Sequence, residues 1–86
     1  NYRRYRKMQA DELKKLIETG VAGAEVMVQG DGDHFEATVV SGQFEGKSMV
    51  QQHQMVYGVL GDLMQGEVHA LALRTLTPQQ WKKQIQ

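Results

Sequence analysis

Hydrophobic positions along the 86-residue chain change period several times, and each change marks an element. From Gln9 onward Leu13, Leu16 and Ile17 recur at i, i+3 and i+4, while Glu12, Lys14, Lys15 and Glu18 fall elsewhere on the wheel. This spacing predicts an amphipathic helix closed by Gly20. Asp11 suits its N-cap or first turn, beside the positive end of the helix dipole. The period then drops to two. Val26 and Val28 alternate with Glu25, Met27 and Gln29, and Phe35, Ala37 and Val39 alternate with His34, Glu36 and Thr38, which predicts strands at 25–29 and 34–40. Between them Gly30-Asp31-Gly32-Asp33 contains Asp-Gly, a pair that tolerates the positive φ of a type I′ turn, so the strands are expected to be antiparallel neighbours.

Residues 41–47 read as a loop with glycines at 42 and 46 and with Phe44 plugging onto the core. Ser48 opens a helical region to about residue 65, with Met49, Val50, Met55, Val56, Val59, Leu60, Leu63 and Met64 as apolar positions and Gly66 as its stop. Gly58 and Gly61 interrupt it, each at a cost of ~1 kcal/mol relative to alanine, which predicts two short helices or one kinked helix. Residues 67–76 are the longest aliphatic run and read as a buried strand carrying one imidazole, His69. Thr77 is a good N-cap with Pro78 at the first helical position, so a short terminal helix follows, anchored by Trp81. The expected order is α-β-β-α-α-β-α. The 26 residues between the second and last strands form a crossover, which makes those strands parallel. The fold class is α/β in the broad sense (α+β), with a three-stranded mixed sheet covered by helices.

Length restricts this to one domain, expected at 9–86 behind a disordered basic leader or tag at 1–8. Such a domain buries only ~60–65% of its unfolded surface, which disfavours a large internal active site. No apolar run is long enough for a membrane span and no secretory h-region is present, so a cytoplasmic location is expected. Cysteine is absent, which removes disulfides, thiolate nucleophiles and all-cysteine metal sites; any metal must be held by His, Asp or Glu. Arg3, Arg4, Arg6 and Lys7 supply four of the ten basic residues, leaving six basic against ten acidic residues in the rest of the chain. That excess of acid makes the domain a poor generic phosphate binder. The leader is read as a solvated tail or tag in preference to an arm that touches nucleic acid.

Gly46-Lys47-Ser48 looks like the end of a phosphate-binding loop, but Ser41 stands where the first glycine is needed. Gly30 and Gly32 lack the third glycine of a dinucleotide fingerprint and belong to the turn, and Asp31 and Asp33 lack the further carboxylates of a calcium loop. Gly58-Val59-Leu60-Gly61 matches the Gly-x-x-Gly clamp of KH domains, yet its middle residues are apolar and no Lys or Arg flanks them, so it reads as packed helix surface. Ser48 with His53 has no nucleophile elbow, and neither a nucleophile–base pair nor an acid–base dyad is found, so the protein is expected not to be an enzyme. His53 lies in the polar run Gln51-Gln52-His53-Gln54 and reads as an exposed or groove-lining side chain. His34 and His69 each begin a strand. With those strands parallel, both fall at one edge of the sheet, as two structural histidines or as half of a metal site.

The segments Gly30-Asp31-Gly32-Asp33-His34-Phe35, Phe44-Glu45-Gly46-Lys47-Ser48, Val56-Tyr57, Val68-His69-Ala70-Leu71-Ala72-Leu73 and Thr75-Leu76-Thr77-Pro78-Gln79-Gln80-Trp81 together resemble the BolA family, and the short Gly-Asp-Gly turn is most similar to its bacterial IbaG branch. The resemblance covers about residues 8–83. It implies a fold similar to class II KH domains, in agreement with the element order. It also implies a [2Fe-2S] cluster shared with a monothiol glutaredoxin and its glutathione, with nitrogen ligands from this chain and no cofactor in the isolated protein. The family's C-terminal ligand carries over to His69. The second family ligand lies in the loop between the first two strands, here shortened to 30–33. His34 is either its counterpart or the histidine that longer-looped members carry at the strand start. Replacing thiolates by neutral imidazoles raises a cluster's reduction potential, and imidazole ligates only when deprotonated, which implies acid-sensitive transfer and a link to stress response. The competing function is a DNA-binding transcriptional regulator acting through the KH-like or helix-turn-helix-like surface. His53, Lys47, Tyr57 and Arg74 are assigned to the partner or nucleic-acid surface. Where many members resemble Arg-His-Arg, this chain has Gln52-His53-Gln54, which weakens the nucleic-acid reading. A monomer is expected, with weak DNA binding and a homodimer left open.

Overall fold

The computed structural model describes residues 8–31, 34–61, 63 and 70–85. Helix α1, Ala10–Gly20, carries Asp11 in its first turn, while the N-cap is Gln9, whose backbone N–H donates to Oε1 of Glu12 at 3.0 Å. Leu13 and Ile17 are fully buried but Leu16 is 39% exposed, so the apolar stripe facing the core is narrower than the sequence spacing suggests.

Strands β1, Glu25–Asp31, and β2, His34–Val40, pair antiparallel from Glu25↔Val40 to Asp31↔His34. β1 therefore runs two residues beyond its expected end, and the turn between the strands contracts to residues 32–33, which lie outside the described residues. Gly30 makes that extension feasible. Its φ is +119°, and a Cβ there would stand 2.3 Å from the carbonyl oxygen of His34. Only glycine accepts both conditions.

After β2, Ser41 is buried and its hydroxyl donates to the carbonyl of Ala22 at 3.0 Å while accepting from the N–H of Gln43 at 3.0 Å. This sets up the 3-10 turn Gly42–Phe44, whose Phe44 plugs the core with no exposed surface, as expected. Helix α2, Met49–Leu60, is capped reciprocally: Ser48 Oγ accepts from the N–H of Gln51, and Gln51 Oε1 accepts from the N–H of Ser48. Gly58 does not interrupt it. Burial of Val56 and Leu60 on either side outweighs the ~1 kcal/mol propensity cost of the glycine. The helix stops at Gly61, which has φ +55°. The second helix expected before residue 66 falls mostly on residues outside those described.

Strand β3, Ala70–Leu76, is parallel to β2 from His34↔Ala70 to Val40↔Leu76, and the sheet order is β1-β2-β3. The expected first residues of this strand, 67–69, lie outside the described residues. Helices α1 and α2 cover one face of the mixed sheet, over β1 and β3 respectively. Met8, Leu13, Ile17, Val26, Phe35, Ala37, Val39, Phe44, Val56 and Leu60 form the core between them. Met8, assigned to the leader on sequence, is 5% exposed and packs in this cluster. The other sheet face is open along Glu25, Met27, Gln29, His34, Glu36, Ala70, Ala72 and Arg74. Helix α3, Pro78–Ile85, starts on a reciprocal cap between Thr77 and Gln80. It buries no residue fully, and Trp81 is only partly covered, a looser anchor than expected.

Candidate metal edge and partner surface

Because β2 and β3 are parallel, both begin at the same edge of the sheet, and the register sets His34 against Ala70. On its other side His34 pairs with Asp31, the last residue of β1. The His34 side chain is exposed, on the same face as Glu36, and it borders a shallow cleft of about 530 Å³ lined also by Gln29, Gly30, Phe35, Glu36 and Ala70. Gly30 shapes this edge by letting the β1 backbone approach that of His34 more closely than any side chain would allow. His69, the first ligand implied by the resemblance, lies outside the described residues; it is the residue bonded to Ala70. Among the described residues no group of three His, Asp or Glu side chains could hold a metal ion. A single exposed imidazole is a ligand fragment that needs donors from elsewhere.

The four residues assigned to a partner surface separate into two places. His53 and Arg74 come together: both line a second cleft of about 420 Å³, with Met49, Leu73, Gln80 and Gln84, between α2, β3 and α3. Arg74 is exposed and its guanidinium donates to Oε1 of Gln84. His53 is half-buried, its Nε2 is buried without a hydrogen-bond partner among the described residues, and its ring meets that of Tyr57 in a T-shaped contact, with centroids 6.5 Å apart at 83°. Tyr57 is exposed on α2, beside His53. Lys47 sits apart from this cleft, in the turn before α2.

Gln52 is buried although it lies in a polar run. It is 6% exposed, and its amide joins three segments: Nε2 donates to the carbonyls of Phe44 and Lys47 at 3.2 and 2.9 Å, and Oε1 accepts from Thr75 Oγ1 at 2.7 Å. The signal was available: the buried residues of α2 are 52, 56 and 60, at i, i+4 and i+8. At the Gly-x-x-Gly match, Leu60 is buried, and Val59 lies so close to Gly20 that a Cβ on Gly20 would come within 2.4 Å of it. Those two middle residues are packed against α1 and the core, as the sequence reading held.

A family model described as "BolA-like protein" matches residues 10–80. The acid stress protein IbaG of Escherichia coli K12 is 32% identical over 77 residues, covering 88% of this chain and 92% of that protein. The DNA-binding transcriptional regulator BolA of Haemophilus influenzae is 39% identical over 56 residues, covering 65% of this chain and 54% of that protein. The structure of a BolA protein homologue from Coxiella burnetii superposes with a TM-score of 0.80 at 41% identity, covering 87% of this chain and 97% of the other. No helix among the described residues is long and apolar enough to cross a membrane.

Proposed function

The chain belongs to the BolA family, and from that premise we propose that it is a non-enzymatic iron–sulfur adaptor, which joins a monothiol glutaredoxin and co-ligates a [2Fe-2S] cluster through His69 and His34. The observation that carries this reading is the register His34↔Ala70, which sets an exposed imidazole beside the residue bonded to His69 at one sheet edge. With no cysteine in the chain, nitrogen is the soft donor this edge offers. The donor set fits a shared group better than a resident one, because the described side chains supply a fragment of a coordination sphere. His34 and His69 would hold the cluster edge, the glutaredoxin cysteine and glutathione the other. When bound, a cluster with two imidazole ligands has a higher potential than an all-thiolate one, and is thereby suited to reduction or to hand-over. The chain's own part is to present His34 rigidly. β2 is the central strand, its alternate residues Phe35, Ala37 and Val39 are locked in the core, and Gly30 seats the neighbouring backbone.

Mixing the purified protein with a cluster-loaded monothiol glutaredoxin and glutathione should change the visible absorption and circular dichroism, and the His69→Ala variant should lose that change. An unaltered spectrum, or one altered equally by H69A, overturns the adaptor reading. The name of the Haemophilus relative supports DNA binding as a second reading. Residues 8–86 titrated against duplex DNA at two salt concentrations separate the two, because binding that rests on neutralised phosphates falls steeply with salt.

A further inference from the structure

We propose that the cleft along the free edge of β3, between α2 and α3, is a docking site for an extended peptide segment bearing acidic side chains. Among the described residues β3 pairs on one side only, with β2. Among the described residues its other edge therefore has no strand partner, and such an edge is the template on which an extended peptide adds as a further strand. Sheet edges are ordinarily protected by charge, proline or a covering element. Here the edge opens into a 420 Å³ cleft instead, with α2 contributing Met49 and His53 and α3 contributing Gln80 and Gln84.

The cleft also specifies what would lie in it. Met49, 57% exposed, and the half-buried Leu73 offer apolar contacts for alternate side chains of a strand, over the buried Leu76. The polar residues lining the cleft are Arg74, whose guanidinium donates to Gln84, with His53, Thr75 and Gln80, whose Oε1 accepts from the N–H of Thr77. Across α2, β3 and α3 there is no Asp or Glu, while Arg74, Lys82 and Lys83 are basic. Lys82 and Lys83 do not line the cleft, so Arg74 is its one charged side chain, and no carboxylate among the described lining residues opposes it. Carboxylate side chains at alternate positions of an added strand complement that charge. A nucleic acid suits it less, because one arginine between apolar walls neutralises too few phosphates. This site lies toward the C-terminal end of β3, whereas His34 stands at the N-terminal end of the β2–β3 pair, so it does not depend on the cluster reading.

The test uses the whole chain, isotopically labelled, and a capped peptide of alternating Val and Glu. A Val and Lys peptide of the same length and a short oligothymidylate serve as comparisons. Binding of the Glu peptide should shift the amide signals of residues 72–76 and of His53 and slow hydrogen exchange along β3. The Lys peptide should leave them unmoved, and the Arg74→Gln variant, altered at an exposed side chain, should bind about fivefold more weakly. The proposal is overturned if the Glu peptide moves no β3 amide at about millimolar concentration, if the Lys peptide acts equally, if R74Q binds unchanged, or if only the oligothymidylate binds.

Discussion

The hydroxyl of Thr75, in β3, donates a 2.7 Å hydrogen bond to Oε1 of Gln52, in α2, and both residues are buried. Since Nε2 of the same amide serves the carbonyls of Phe44 and Lys47, Gln52 ties the turn, the helix and the edge strand into one unit. Gln52→Leu keeps most of the volume but takes from the Lys47 carbonyl its side-chain donor, leaves the Phe44 carbonyl only the Lys47 N–H and leaves the Thr75 hydroxyl only the weak acceptor Met49 Sδ, and is expected to cost about 1–3 kcal/mol. Thr75→Val removes one donor and should cost about 1–2 kcal/mol. Because Val at 75 removes the hydroxyl that Leu at 52 strands, the double variant should lose less than the two singles together in urea denaturation.

Gly30 illustrates how a backbone requirement sits beside the candidate metal edge. At φ +119°, with the His34 carbonyl 2.3 Å from where a Cβ would stand, Gly30→Ala meets both strain and a clash against backbone that has no rotamer to yield. A loss of about 2 kcal/mol or more is expected, lowering the melting temperature by roughly 8 °C or more. Gly42→Ala is the control: nothing lies within 4 Å of its Cβ position, and its change should remain within about 0.5 kcal/mol.

The crossing of α1 and α2 depends on the missing side chain at Gly20, whose Cβ position lies 2.4 and 2.5 Å from the methyl carbons of Val59. Alanine at residue 20 gains up to ~1 kcal/mol of helix propensity, but overpacking costs about 1–3 kcal/mol, so Gly20→Ala should destabilise on balance. Val59→Ala removes the obstructing methyls. Thermal unfolding of the double variant should place it near V59A alone, well above the sum of the separate losses.

Legibility in the sequence follows how local each determinant is. The alternation of Phe35, Ala37 and Val39, the caps at Ser48 and Thr77 and the burial of Phe44 each depend on a few neighbouring residues, and the structure reproduces them. The parallel direction of β2 and β3 follows from crossover length, a topological rule that needs no side-chain detail, whereas the register His34↔Ala70 is seen only in the structure. Gln52 misleads because its letter is polar while its position, in phase with Val56 and Leu60, faces the core. Gly58 misleads in the opposite sense: helix propensity is a weak term, and tertiary burial on both sides overrides it. The cleft that joins His53 to Arg74 was not legible, since it arises where α3 returns beside β3 and α2, an angle that local pattern does not determine.

His34 offers the sharpest separation of stability from function. It is exposed at the start of β2, and its side chain makes no hydrogen bond or ion pair with any described residue, so the folded domain gains little from the imidazole itself. The backbone at that position is a different matter, being paired on both sides, with Asp31 and with Ala70. Substitution by alanine keeps the backbone pairing and removes only the ring. Denaturation of His34→Ala should therefore agree with the parent within about 0.5 kcal/mol. If the ring is the second cluster ligand, the same variant mixed with a cluster-loaded glutaredoxin should show a weakened or altered visible spectrum, intermediate between the parent and His69→Ala. If it shows the parent spectrum, the second ligand lies elsewhere at that edge and His69 carries this chain's share without it. The stability measurement decides which interpretation a spectral loss supports: loss with an intact fold assigns the ring to the cluster, whereas loss with unfolding assigns it to the sheet.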